Sequence, residues 1–255
     1  MDKNLYLQIY SVRDQMENPE NYQKVFDALA SYGYKGFQTA GTPADLDAYV
    51  AAANKAGLKV IGTHTAFDNL LDAAKAKELH EKLGTTHAGI GGLPNMWGNE
   101  WAPEFVNSSL ENLHKAVETL DKLGLTFTYH HHSVEFLKLG NETFMDILVK
   151  EFAGTSFTFC LDTYWLAHAG VEVREWLEKL EGRVHILHLK DKGIPVGKND
   201  GVITELGNGN LNFRNIIKTA EATGVQYLCY EQDNGFAVDS LDSAKRSAEY
   251  FYSII

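Results

Sequence analysis

The amino-acid sequence predicts an α/β protein that folds as one (β/α)8 TIM barrel, a single domain over residues 1–255. Short apolar runs of strand-forming residues alternate strictly with stretches in which apolar residues recur at helical spacing. Such alternation indicates a parallel sheet, and eight units in 255 residues fit a closed barrel. No linker marks a second domain, and no GxGxxG follows the first run, which disfavours an open nucleotide-binding sheet.

The predicted strands are short runs rich in β-branched, aromatic and other apolar residues. In chain order they are LYLQIY (5–10), KGFQTA (35–40), KVIGTH (59–64), HAGIGG (87–92), TFTYHH (126–131), FTFCLD (157–162), VHILHL (184–189) and QYLCYE (226–231).

Predicted helices fill the intervals, for example YQKVFDALASYG and FVNSSLENLHKAVETLDKLG. Several helices are expected to end at a glycine, which readily adopts the left-handed backbone of a helix C-terminus. These are Gly33, Gly57, Gly84, Gly124 and Gly224. The last helix is predicted to begin at a Ser240 cap and to run to the C-terminus.

Composition narrows the class of partner. The net charge of −11 argues against a nucleic-acid backbone or an anionic membrane surface, because both require clustered Lys and Arg. We see no signal peptide and no apolar run near the ~20 residues of a membrane span, so a cytoplasmic location is expected. Two cysteines, Cys160 and Cys229, do not form a disulfide framework. The sequence leaves a homo-oligomer open.

Polar residues gather where the predicted strands end, which is the edge that carries the active site of a TIM barrel. In chain order these are Gln8, Arg13, Gln38, His64, His130, His131, His132, Asp162, His188, Lys190, Asp191, Glu231 and Asp233. Histidines and carboxylates without thiolates suit one divalent ion, namely Zn²⁺, Mn²⁺, Mg²⁺ or Co²⁺. Such an ion could polarise an oxygen of the substrate.

Strand periodicity divides the YHHH segment. Side chains two residues apart share a face of a strand, so His130 and His132 point one way and His131 the other. By the same rule Cys160 shares a face with Asp162, and Cys229 with Glu231. If the two carboxylates point inward at the rim, the cysteines form a layer of small core residues below them.

Several segments resemble the sugar phosphate isomerase/epimerase family of the xylose-isomerase-like barrel superfamily. They are LQIYSVRD, GYKGFQTAG, YHHHSVEF, LDTYWLAHAG, GRVHILHLKD, ELGNGNLNF and YEQD, and they extend from one end of the chain to the other. The resemblance implies one metal ion held at the ends of the last four strands. Carried onto this sequence, the ligands are His130, Asp162, His188 and Glu231.

Two departures from the family pattern bear on the reaction. Many relatives carry Glu-x-His on the fifth strand, so His130 stands at the glutamate position and His132 at the histidine position. Epimerase-type relatives use paired glutamates on strands five and eight, and this pair is broken here unless Glu135 replaces its missing member. Gln38 stands where relatives often carry glutamate, and an amide is a poor general base.

The expected activity is isomerisation or epimerisation of a sugar or keto-sugar through an enediolate. Proton transfer is assigned to His132, Glu231 or Glu135, and Lys190 is expected to stabilise charge on oxygen. Substrate contacts are expected from Gln8, Arg13, Gln38, His64 and Trp165. Each assignment competes with a structural role, such as a hydrogen-bonded core histidine for His130 or a surface carboxylate for Glu135.

Three other functions are weighed against this expectation. An inosose-dehydratase-like lyase acting on a cyclitol or keto-sugar shares the proton-abstraction step and expels water. A non-catalytic sugar-binding barrel would hold no metal. A DNA endonuclease, as among the distant relatives, is disfavoured. Trp165 stands where those relatives carry a ligand histidine, DKGIPVGKNDGVITE contains no Asp-x-His, and the net charge is −11.

Overall fold

The computed structural model describes residues 3–98 and 101–255 and confirms the predicted barrel. Its eight strands are β1 Leu5–Gln8, β2 Gly36–Gln38, β3 Lys59–Gly62, β4 His87–Ile90, β5 Thr126–His130, β6 Thr158–Asp162, β7 Val184–Leu189 and β8 Tyr227–Tyr230. Each predicted run contains one of them. The first strand is shorter than predicted because the Gln8 side chain accepts a hydrogen bond from the Tyr10 backbone N–H and begins a 3₁₀ segment, Ile9–Gln15.

The strands pair in parallel in the order β3-β2-β1-β8-β7-β6-β5-β4. The ring closes just beyond β3, where Thr63 N–H donates to the His87 carbonyl at 3.0 Å and Thr65 N–H donates to the Gly89 carbonyl at 2.9 Å. Gly89 permits this approach, because a Cβ there would lie 2.7 Å from the carbonyl oxygens of Thr63 and Thr128. The barrel rim is therefore continuous around the site.

The helices lie between successive strands and after the last one. In the described residues they are α1 Tyr22–Ser31, α2 Leu46–Lys55, α3 Phe67–Leu71, α4 Ala73–Leu83, α5 Pro103–Asp121, α6 Phe144–Glu151, α7 Thr163–His168, α8 Val173–Lys179, α9 Phe213–Ala222 and α10 Ser240–Ile254. The five predicted terminal glycines all have positive φ, between 66° and 99°. None of the helices within residues 3–98 and 101–255 is both long and apolar enough to cross a membrane.

The prediction that Ser240 caps α10 is wrong. Asp239 is the cap, because its carboxylate accepts a hydrogen bond from the Asp242 backbone N–H at 2.8 Å. The Ser240 hydroxyl donates instead to Asp14 at 2.7 Å, which ties the start of α10 to the segment after β1. Both residue types cap helices well, so the sequence alone favoured the neighbouring position.

Two apolar layers support the rim. The larger one lies between the strands and the helices and includes stacked rings such as Phe127 and Phe157. The smaller one fills the barrel interior and consists of Tyr6, Ile61, Cys160, Ile186 and Cys229. Both cysteines are free and fully buried, as expected for a layer of small core residues below the site.

The loop after β7 is organised by one carboxylate. Asp191 accepts backbone N–H bonds from Lys192, Gly207, Gly209 and Leu211, at 2.8, 2.9, 3.0 and 3.2 Å. The loop contains a hairpin, Asp191–Gly193 with Val202–Thr204. A second small hairpin, Lys138–Leu139 with Glu142–Thr143, precedes α6. Short 3₁₀ turns occur at Pro19–Asn21 and Val134–Phe136.

Candidate metal centre

Four side chains from consecutive strands converge at the rim. His130 ends β5, Asp162 ends β6, His188 lies in β7 and Glu231 follows β8, and each offers a ligand atom within 4.8 Å of the other three. All four side chains are buried. They are the set proposed as ligands from the sequence, and their convergence follows from parallel strands that end at one edge.

The shortest contact in this cluster joins His188 Nδ1 to Glu231 Oε2 at 2.9 Å. Asp162 Oδ2 lies 3.7 Å from both His130 Nε2 and His188 Nδ1. The other oxygen of Asp162 accepts the Trp165 backbone N–H at 2.9 Å, which fixes the carboxylate at the start of α7. One oxygen of Asp162 is therefore structural and the other faces the two histidines.

In both histidines of the cluster, the ring nitrogen that faces away from the carboxylates donates a hydrogen bond to a carbonyl oxygen. His130 Nδ1 donates to the Gly91 carbonyl at 3.2 Å, and His188 Nε2 donates to Gln38 Oε1 at 2.7 Å. Because these oxygens only accept, each ring turns its other nitrogen, His130 Nε2 and His188 Nδ1, toward the carboxylates. Burial lowers the pKa of His188, but its acidic neighbours Cys160, Glu231 and Asp162 raise it well above its usual value, so Nδ1 carries a proton toward Glu231 that a divalent ion would displace. Among the described residues, His130 Nε2 and Asp162 Oδ2 are buried without a hydrogen-bond partner, and the buried His188 Nδ1 contacts the Glu231 carboxylate. Three converging ligand atoms of this kind fit a divalent ion.

Lys190 lies beside the cluster and is buried. Its Nζ is 3.2 Å from Glu231, 3.6 Å from Asp162 and 2.7 Å from Asp233. Burial lowers the pKa of Lys190, but these carboxylates raise it further than burial lowers it, so the group remains an ammonium. Burial also raises the pKa of Asp162, but Lys190 and the two histidines of the cluster hold that pKa well below its usual range. The Asp162 carboxylate is therefore ionised and ready to bind a cation.

An open pocket of about 910 Å³ lies directly above the cluster. Seven of the residues predicted for the site line it, namely Arg13, His64, His130, His132, Trp165, Lys190 and Glu231. Four others lie beneath it with no exposed surface, namely Gln8, Gln38, Asp162 and His188. A ligand in the pocket therefore meets the cluster from above.

Gln8 and Gln38 are hydrogen-bonded to residues that reach the pocket. Gln38 bonds to His188, as described above, and Gln8 Nε2 donates to Gln38 Oε1 at 2.8 Å. Gln8 Nε2 also lies 3.1 Å from His64 Nδ1. The sequence predicts substrate contacts for Gln8 and Gln38, but the structure places both below the pocket, in contact with residues that reach it.

The three adjacent histidines take three different positions. His130 joins the cluster and His132 lines the pocket, with its ring 4.9 Å from Trp97 and 5.1 Å from Trp165. His131 accepts the Asp162 backbone N–H at Nε2 and donates from Nδ1 to the His132 carbonyl, both at 3.1 Å. Burial lowers the pKa of His131 to about 4. It is a neutral bridge between β5 and β6, on the side that strand alternation predicts.

Glu135 does not reach the cluster. Its side chain is fully buried, and its carboxylate accepts hydrogen bonds from the Tyr129 hydroxyl at 3.1 Å and the His132 backbone N–H at 2.9 Å. Burial raises the pKa of this carboxyl group to about 7. Tyr129 alternates with His130 along β5 and points away from the barrel interior, and Glu135 lies on that side. The carboxylate missing from β5 is therefore not replaced by Glu135.

Three contributors to the site were given no role from the sequence. Asp233 follows the last predicted strand and shares a strand face with Glu231, but the sequence assigns it no role. The carbonyl of Gly91 has no side-chain signal at all. Trp97, 63% exposed in the loop after β4, faces Trp165 with ring centroids 6.5 Å apart. Arg13 completes the wall by stacking on Tyr10 at 3.9 Å and donating to the Asp233 carbonyl at 2.9 Å.

A second group of potential ligands, His64, Cys160 and His188, lies just below the first. Burial raises the pKa of the Cys160 thiol, so this sulfur is protonated and a poor ligand. The carboxylate-containing cluster is the better site for a divalent ion.

Comparison with known families agrees with this geometry. A family model described as xylose isomerase-like TIM barrel matches residues 26–254. The chain belongs to this family. The match confirms the resemblance drawn from the sequence motifs.

Individual relatives differ in activity. The inosose dehydratase of Mesomycoplasma hyopneumoniae (strain 7448) is 28% identical over 177 residues, which cover 60% of this chain and 57% of that protein. A sugar phosphate isomerase/epimerase from Parabacteroides distasonis ATCC 8503 has a TM-score of 0.79 at 21% identity, covering 98% of this chain and 93% of that one. D-allulose 3-epimerase from Methylomonas sp., in complex with D-allulose, has a TM-score of 0.73 at 13% identity, covering 99% and 97%. The two structural likenesses show the fold.

Proposed function

We propose that this protein is a metal-dependent enzyme that removes the proton next to the carbonyl group of a polyhydroxylated ketone, either a sugar or a cyclitol. The observation that carries the proposal is the set of four buried ligand atoms beneath an open pocket. His130, Asp162, His188 and Glu231 would hold the ion. When bound, a divalent ion supplies Lewis acidity, which polarises the substrate carbonyl and makes the neighbouring C–H more acidic.

The protein's own groups then handle charge and protons. The Lys190 ammonium faces the pocket and stabilises negative charge as it develops on a substrate oxygen. Burial raises the pKa of Glu231, but Lys190 and His188 bring it well below its usual value, so Glu231 is an ionised base. Burial and the adjacent His130 lower the pKa of His132, so His132 is a neutral imidazole that can accept a proton.

Dehydration is the outcome that the geometry favours. An epimerase with paired carboxylates needs one on each of β5 and β8, and β5 contributes His130 while Glu135 is bound to Tyr129 and His132. Loss of water from a β-hydroxy ketone needs one base on the carbon, and the abstracted proton leaves with the hydroxyl group. The product is an enone and one molecule of water. The inosose dehydratase relative supports this outcome.

Isomerisation or epimerisation is the second candidate, and one observation favours it. His132 follows β5 and Glu231 follows β8, and two strands, β6 and β7, separate these in the ring. Two proton-accepting groups therefore face the pocket from different sides. Such a pair could remove a proton from one face of a carbon and return it to the other.

A metal-loaded panel of ketoses, keto-sugars and inososes in deuterated water tests the proposal. We expect deuterium at the carbon next to the carbonyl, with enone absorbance if water is lost and a new stereoisomer if it is not. Metal analysis of the wild type against Glu231→Gln and His188→Ala should show an ion only in the wild type. A wild type that binds no divalent ion after supplementation would instead indicate a non-catalytic sugar-binding barrel.

A further inference from the structure

The orientation of one buried amide can be assigned without ambiguity. The Tyr10 backbone N–H lies 3.1 Å from one terminal atom of Gln8. A backbone N–H only donates, so this atom is the amide oxygen. The amide nitrogen of Gln8 therefore faces the other two neighbours, Gln38 Oε1 at 2.8 Å and His64 Nδ1 at 3.1 Å.

This orientation determines where His64 carries its proton. An amide nitrogen has two hydrogens and does not accept, so it donates one to Gln38 and the other to His64 Nδ1. His64 Nδ1 must then be bare, and the neutral ring carries its hydrogen on Nε2. In a doubly protonated ring, the Nδ1–H of His64 would face an N–H of Gln8, and neither group can accept. The same contact therefore excludes the imidazolium form.

The Nε2 atom of His64 is buried and, in the part of the chain that the structure describes, has no hydrogen-bond partner. The ring nevertheless lines the pocket, with its centroid 5.0 Å from that of His130 and 5.5 Å from that of His188. A buried N–H without an acceptor is costly, so an acceptor is expected to arrive with the ligand. A protonated Nε2 has no lone pair for a metal, so His64 is free to serve the substrate.

We propose that His64 donates a hydrogen bond from Nε2 to a substrate oxygen, and that Gln8 is a positioning residue that keeps His64 in this tautomer. The inference rests on the proposed function and adds His64 to the groups that bind a substrate oxygen. As charge develops on the substrate oxygen, the His64 N–H stabilises it beside the ion and Lys190. A substrate for this site therefore presents an acceptor oxygen to His64 in addition to any that a bound ion would polarise.

Nitrogen NMR on protein labelled with ¹⁵N-histidine tests the tautomer without any turnover. The His64 signals are assigned by their loss in His64→Gln. We expect a pyridine-like Nδ1 and a pyrrole-like Nε2 in the wild type, both unchanged when Zn²⁺ is added, while the nitrogens of His130 and His188 shift. A pyrrole-like Nδ1 in His64, or a Zn²⁺-induced shift as large as that of the ligands, overturns the inference.

The role of Gln8 is tested with a pair of variants. Gln8→Leu removes the donor and should give a mixture of His64 tautomers. Gln232→Leu is the matched control, because it removes another fully buried amide, bonded to Tyr230 and Asn234. It should leave the His64 spectrum unchanged. An unchanged His64 spectrum in folded Gln8→Leu would refute the positioning role, and the wild-type spectrum decides the tautomer if this variant does not fold.

Kinetics on a substrate found in the panel test the donor role. His64→Ala should lower kcat by roughly 10²- to 10³-fold, the usual effect of removing one donor to a developing oxyanion, with little change in KM. His64→Gln keeps an N–H donor near the Nε2 position and should recover at least part of the loss. Equal activity of the two variants, or a wild-type kcat in His64→Ala, overturns the donor role. A panel without turnover contradicts the proposed function and leaves the NMR result standing.

Discussion

Replacing Glu135 with glutamine should stabilise the protein at alkaline pH and have much less effect at acidic pH. The Glu135 carboxyl group is fully buried and accepts hydrogen bonds from the Tyr129 hydroxyl and the His132 backbone N–H. Glutamine retains an oxygen for His132, and its amide N–H can donate to the Tyr129 hydroxyl oxygen. The substitution therefore removes an ionisable group and preserves the shape of the turn.

The size of the effect follows from the pKa. Burial raises the pKa of Glu135 to about 7 from its ordinary value of 4.5. The folded state therefore binds the proton more tightly than the unfolded state, and stability falls as pH rises from 4.5 to 7. At pH 8 the ionised carboxylate costs about 3 kcal/mol of unfolding free energy, and at pH 5 it costs under about 1 kcal/mol. Glutamine avoids this cost.

Urea unfolding at pH 5 and pH 8, followed by circular dichroism and by fluorescence, measures the difference between variant and wild type. Glu111→Gln, which removes an exposed glutamate from α5, controls for the loss of one negative charge. We expect the stabilisation by Glu135→Gln to grow by about 2 kcal/mol between the two pH values. The same difference at both pH values would mean that burial does not shift this carboxyl group, and would refute the reasoning.

Three further substitutions test other parts of the site. Gln38→Leu removes the acceptor of His188 Nε2 and should weaken Zn²⁺ binding by roughly 10- to 100-fold in calorimetric titration; unchanged affinity would contradict the orienting role. Lys190→Met leaves three carboxylates without their ammonium partner and should lower the unfolding free energy of the metal-free protein by about 3 kcal/mol. Zn²⁺ should restore part of this stability, which melting curves with and without Zn²⁺ would measure. Asp191→Asn leaves one oxygen for four backbone N–H groups and should lower the free energy of unfolding by about 2 kcal/mol. Proteolysis of the loop at 194–201 should be faster than in the wild type, and equal cleavage rates would show that Asp191 does not hold this loop.

The convergence of the four candidate ligands could be predicted because the family resemblance selects these residues and strand geometry brings strand ends together. His130, Asp162, His188 and Glu231 end or follow parallel strands, and the edge where such strands end is shared. Period-two alternation also separates His131 from its neighbours. These rules act within a strand, and they hold wherever the chain remains extended.

The rest of the site depends on atoms that no residue pattern encodes. Glu135 lies within the 3₁₀ turn Val134–Phe136, on the outer side of β5, so alternation no longer applies. The nitrogen that each histidine presents is decided by Gly91 and Gln38, one through its backbone and the other from a distant strand. Trp97 joins the pocket through the path of the loop after β4, where the sequence offers little chemistry.

The hydrogen bonds around Gln8 start from the backbone N–H of Tyr10, so they do not depend on the side chain at this position. The Tyr10 side chain is 44% exposed at the pocket wall, while its N–H holds Gln8 and, through Gln8, the proton positions of His64 and His188. Nearly any side chain can therefore replace Tyr10 without disturbing those protons, and proline, which has no N–H, is the exception. The shape of the pocket wall can therefore change independently of the hydrogen bonds beneath it.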